Sequence, residues 1–147
     1  MEKFLAMRDL QSDVLEIVRK EGALVAKKEG LNIVTVESPQ KGLEVAKQIL
    51  YKVCNKETFL FLSGGNTPKP LYETLADEKK LTVGAVALVD ERFGPRFHEN
   101  SNELMIRETG LLDFLESAGI LFYPILDATR DDPKGGIMRE DGRFIEN

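Results

Sequence analysis

Hydrophobic positions recur with a helical period at the start of the chain. Phe4, Met7, Leu10, Val14, Ile17 and Val18 fall on one side of residues 4–20, and Gly22 marks a stop. Residues 31–38, "LNIVTVES", are short and β-branched and predict a strand. Ser38 followed by Pro39 supplies a cap and a proline at the first helical position. The helix opened there runs to about Cys54, with Leu43, Val45, Ala46, Ile49, Leu50 and Val53 on its apolar side. "TFLFLS" (58–63) is almost wholly apolar, the pattern of a strand covered on both faces. A helix is predicted over about 68–79, and a further apolar strand over 83–90, "VGAVALVD". Asn100 and Glu103 form an N-x-x-E capping box that opens a helix to about Ser117. "ILFYPI" (120–125) is a last short strand.

The order β-α-β-α-β-α-β predicts an α/β fold. Its expected form is three-layer and Rossmann-like, a mainly parallel sheet between helices joined by right-handed crossovers. Three stretches are expected: an N-terminal helical extension (1–30), the α/β domain (31–125) and an irregular tail (126–147). The tail loses periodicity and gains charge, glycine and proline.

Composition narrows the partners. The 147 residues are 42% hydrophobic and 31% charged, ordinary values for a globular chain with a real core. A net charge of -5 argues against a nucleic-acid partner. No apolar run reaches the roughly 20 residues of a membrane span, and the start lacks the cleavage site of a secretory signal. The expected compartment is cytoplasmic, with no membrane partner. One cysteine, Cys54, excludes an internal disulfide, and one histidine, His98, excludes a multi-histidine metal site. Neither metal nor cofactor is expected. Cys54 is expected to be a small buried side chain at a helix end, and His98 a loop residue.

Candidate chemistry lies at two strand ends, where ligands of parallel sheets bind. After the second expected strand comes "SGGNTP". Gly64 and Gly65 admit a sharp turn and close approach, and their N–H groups with those of Asn66 and Thr67 form a concave donor cluster suited to phosphate. Pro68 and Pro70 remove two first-turn donors, so an anion here relies on the loop itself. Neither a Walker P-loop nor a dinucleotide glycine pattern is present. A tight turn with Thr67 as helix cap accounts for the same residues. After the third expected strand, "VDERFGP" offers Arg92 as a bidentate phosphate partner, with Asp90 and Glu91 as a base or as its orienters. The alternative there is a solvated charge run.

Taken together, "LSGGNTPKPLYETLA", "VALVDERFGP" and "HENSNELMIRETGLL" resemble the 6-phosphogluconolactonases and the related glucosamine-6-phosphate deaminases and isomerases, over roughly residues 31–125. The resemblance implies a small-molecule sugar phosphate, held by Gly64, Gly65, Asn66, Thr67 and Arg92. Asn66 stands where the family more often has serine. Asp90 takes the position of the acid that moves protons in the deaminases. "DERF" and "SGGxTPKPLY" tilt the implied activity toward hydrolysis of 6-phosphogluconolactone in the pentose phosphate pathway. A non-catalytic sugar-phosphate-binding or oligomerising module, and a deaminase/isomerase-type activity, are the alternatives. His98 and Ser101-Asn102 match a family loop near the site, with a structural role. The family's later G-x-G-x-D-G-H motif has no match, since "REDGRF" (139–144) carries Arg143 where its histidine would stand. The chain is therefore expected to resemble the N-terminal part of the family, with a sheet edge covered by self-association.

Overall fold

The computed structural model describes residues 2–126, with backbone alone at 2–9, and two short strands at 137–138 and 144–145. It divides into two compact units, 1–55 with 80–82, and 56–79 with 83–147. The first compact unit therefore extends through residue 55, past the stretch 1–30 set apart by the extent of the resemblance.

In the first unit, α1 (Glu2–Lys20) leads into β1 (Leu24–Lys28) and β2 (Leu31–Thr35), followed by α2 (Pro39–Val53). The strands pair antiparallel, Leu24 opposite Thr35 and Lys28 opposite Leu31. The two turn residues, Glu29 and Gly30, have φ of 50° and 83°, the sign that matches a tight hairpin to the strand twist. This corrects the sequence reading. Residues 31–35 belong to a hairpin, not to the parallel sheet, and β1 was not anticipated. The helices behave as expected: Ser38 Oγ accepts from the Lys41 N–H at 3.2 Å, and α1 packs on α2. Val18, Ala23 and Val45 form the small core, flanked by Val14, Val25, Val36 and Ile49.

The second unit carries the parallel sheet. β3 (Phe59–Leu62), α3 (Lys69–Glu78), β4 (Ala85–Leu88), α4 (Asn102–Glu108), α5 (Leu111–Ser117) and β5 (Leu121–Tyr123) follow in order. The strands lie β3-β4-β5, all parallel, giving the expected α/β, Rossmann-like arrangement of a parallel sheet flanked by helices. Two boundaries differ from expectation. The single helix 100–117 is two helices, because Gly110 at φ 78° turns the backbone out of the helical region. The cap of α4 is Ser101, whose Oγ accepts from the Leu104 N–H at 2.9 Å, and not Asn100.

Alternate residues of the sheet point to opposite sides. Leu62, Val86 and Leu88 are buried on one side, and Leu75, Ile106, Leu111 and Leu115 from the helices are buried completely. On the other side Phe59, Phe61, Leu121 and Tyr123 are 47%, 56%, 60% and 50% exposed, so these strands are not covered on both faces as "TFLFLS" suggested. Their rings keep company, with the Phe59 centroid 4.9 Å from Phe61 and 5.6 Å from Tyr123. β6 (Ile137–Met138) and β7 (Phe144–Ile145) pair antiparallel. The rest of the tail expectation falls outside the described residues. Among the described residues, no helix is long and apolar enough to cross a membrane.

Candidate functional site

Both candidate loops leave the sheet at the carboxyl ends of adjacent strands, β3 and β4. The first is held from below. Tyr72 on α3 is buried, and its hydroxyl donates to the Ser63 carbonyl at 2.8 Å. Burial pushes the Tyr72 phenol above its usual pKa, against the smaller opposing effect of the Ser63 bond, so the group stays a neutral donor. Gly65 turns the chain at φ 89°, and Gly65, Asn66 and Thr67 face solvent. α3 starts on Pro68 with no side-chain cap, which removes the reading of Thr67 as a helix cap. Its hydroxyl remains available to a ligand.

The second loop is fixed through α4. Seven residues long, this helix leaves its first N–H groups without internal partners. Glu91 supplies acceptors for two of them. Its Oε1 accepts from the Asn102 N–H at 2.6 Å and its Oε2 from the Glu103 N–H at 2.9 Å, while Oε1 also accepts from the Arg92 N–H at 2.6 Å. Glu91 is therefore spent on structure. Asp90 and Arg92, on either side of it, are exposed.

A part-buried ion pair underlies the loop. Arg96 Nε donates to both oxygens of Glu103 at 2.8 Å, and Nη2 donates to Oε1. Glu103 is 1% exposed, and the guanidinium forks onto its carboxyl group. Two guanidinium groups, those of Arg96 and Arg107, lie 4.9 and 4.3 Å from the centre of the Phe97 ring. His98 closes the loop on itself. Its Nδ1 accepts from the Asn100 N–H at 3.2 Å, which leaves the proton on Nε2, 3.1 Å from the Arg92 carbonyl that accepts it. Both ring nitrogens are engaged, consistent with a structural histidine and not with a base.

Asn102 joins the two loops. Its side-chain amide donates to the Asp90 carbonyl at 3.0 Å, and its carboxamide fills the space beside Gly64 that a Cβ would need. Sequence reasoning placed Asn102 in a structural loop but did not foresee this contact. Asp90, Gly64 and Asn102 meet through tertiary packing alone. The structure thus brings Gly64 and Asp90 together through one side chain, and places Gly65, Asn66, Thr67 and Arg92 on the exposed parts of the same two loops. Among the described residues no cluster of three or more histidine, cysteine, aspartate or glutamate side chains could hold a metal ion. Cys54, in the other unit, is buried at the end of α2 as expected, and burial raises its thiol pKa, which makes it a poor nucleophile.

Comparison with known proteins bears on these loops directly. The family model for glucosamine-6-phosphate isomerases/6-phosphogluconolactonase matches residues 40–140. A 6-phosphogluconolactonase of Nostoc sp. (strain PCC 7120 / SAG 25.82 / UTEX 2576) is 44% identical over 70 residues, covering 45% of this chain and 28% of that protein. The chain thus aligns with well under half of that relative's length.

Replacing Glu91 by alanine removes the acceptor of three backbone N–H groups. The expected loss is about 1–3 kcal/mol of unfolding free energy, read from urea unfolding, with Arg92→Ala close to neutral. Equal losses for the two variants would contradict the assignment of Glu91 to structure and Arg92 to solvent.

Proposed function

We propose, from the premise that this chain belongs to the family of glucosamine-6-phosphate isomerases and 6-phosphogluconolactonases, that it holds the phosphate of a sugar-phosphate lactone and serves hydrolysis of 6-phosphogluconolactone. The observation that carries the reading is the pair of strand-end loops, one offering exposed backbone donors and the Thr67 hydroxyl, the other an exposed guanidinium. Gly64, Gly65, Asn66 and Thr67 surround the phosphate oxygens with N–H groups, and Arg92 adds a bidentate charged partner. Holding the phosphate sets the lactone ring over the strand ends. Water then adds to the lactone carbonyl, the ring C–O bond breaks, and the ring oxygen leaves as a hydroxyl. That step needs a group to take the proton of water. Asp90 is the exposed carboxylate nearest in sequence to Arg92 and is the candidate for moving it, since both nitrogens of His98 are engaged.

A second reading has support from the fold. A chain that binds sugar phosphate without turning it over, and associates with itself, would use the apolar side of the sheet. Three aromatic rings and a leucine, each about half exposed, leave roughly 400 Å² of apolar surface open. Each partner of a stable dimer buries about twice that, so the association proposed is weak and concentration-dependent. Its occupant is a second copy. Sedimentation velocity is expected to show a rising mean sedimentation coefficient with concentration, reduced in Phe61→Ser; a monomer throughout would contradict it.

The site itself is tested with 6-phosphogluconate, the hydrolysis product. Millimolar ligand is expected to raise the melting temperature of the full chain, and Arg92→Ala to abolish the shift. Faster lactone consumption than the spontaneous rate supports hydrolysis, and binding without acceleration supports the second reading. Ammonia release from glucosamine 6-phosphate would replace both with the deaminase chemistry. No shift at millimolar ligand would remove the phosphate site.

A further inference from the structure

We propose that Asn102 is a positioning residue that sets the spacing between the two phosphate-binding loops, an inference that rests on the sugar-phosphate reading above. Three observations carry it. Asn102 is 4% exposed, so its side chain has almost no surface to offer a ligand and must act through its neighbours. One end of its carboxamide donates to the Asp90 carbonyl at 3.0 Å, tying it to the loop that presents Asp90 and Arg92. The carboxamide also lies so close to Gly64 that any side chain there would overlap it.

The backbone of Asn102 is fixed as well. Its N–H and that of Glu103 donate to the two oxygens of Glu91, at 2.6 and 2.9 Å, so the loop and the first turn of α4 are clamped at three points. On the opposite side the glycine loop is held by Tyr72 through the Ser63 carbonyl at 2.8 Å. A phosphate gripped jointly by the two loops gains from their spacing being fixed before it arrives. Asn102 occupies the gap. Gly64 is glycine because that gap is full, a reason separate from any approach of ligand to its backbone.

The test compares apo stability with affinity for 6-phosphogluconate, by thermal melting and by isothermal titration calorimetry on the full chain. Asn102→Ala empties the gap and Asn102→Asp keeps its volume while removing the donor to the Asp90 carbonyl. Both are expected to weaken binding by about tenfold or more. Leu112→Ala on α5, a core truncation outside the two loops and α4, is expected to lower the melting temperature with affinity within about twofold. Gly64→Ala is expected to destabilise the fold and lose binding. Adding Asn102→Ala to it makes room for the new methyl group and restores melting temperature, but leaves the loops unlinked and binding weak. Affinities within twofold of the parent chain in both Asn102 variants would overturn the positioning role while leaving the phosphate site standing. Should Asn102→Ala fail to fold, Asn102→Asp decides alone. Failure of the parent chain to bind would instead remove the functional reading, and this inference with it.

Discussion

The first backbone N–H groups of α4 have no partner within a helix of seven residues, and the Glu91 carboxylate accepts from two of them. That need for acceptors organises the rest of the second unit's upper edge. With Glu91 turned inward, Asp90 and Arg92 on either side of it are left facing solvent. With α4 anchored, Asn102 falls between the loop after β4 and the loop after β3. Glu103, at the second clamped position, meets the Arg96 guanidinium in the interior. One carboxylate therefore connects a local backbone requirement to the shape of a solvent-facing surface.

The strand-end loops carry the proposed chemistry, at the carboxyl ends of parallel strands, where ligands of such sheets bind. They also separate two jobs that the D-E-R sequence runs together. Glu91 accepts three backbone hydrogen bonds, whereas the side chains of its neighbours Asp90 and Arg92 are exposed. The prolines at 68 and 70 fit the same division. α3 begins without a capping side chain, so in the proposed site the phosphate donors would come from the loop itself and not from the helix start.

Much of the parallel core was legible. β3, β4 and β5 are short apolar runs, and the helices α1, α2 and α3 follow their apolar period closely. Other features depended on contacts that no local pattern contains. Ser101 and Asn100 are both good caps, and the structure uses Ser101, at the start of the turn whose N–H groups reach Glu91. The apolar period runs through Gly110 from Ile106 to Leu115, which hid a break that only the positive φ reveals. β1 ends in two lysines and turns through a non-glycine residue with positive φ, so its hairpin left a weak signal. The contacts of Asn102 were not readable from spacing, because they depend on Gly64 and Asp90 being brought beside it.

The proposed site joins the loops after β3 and β4 into one phosphate-binding surface. Its most direct measurement is a titration of the isotopically labelled chain with 6-phosphogluconate, followed by amide chemical shifts. The account expects the Gly64, Gly65, Asn66, Thr67 and Arg92 amides to move together along a single binding curve, while those of the β1–β2 hairpin stay in place. Shifts confined to one loop, or separate curves for the two, would contradict it.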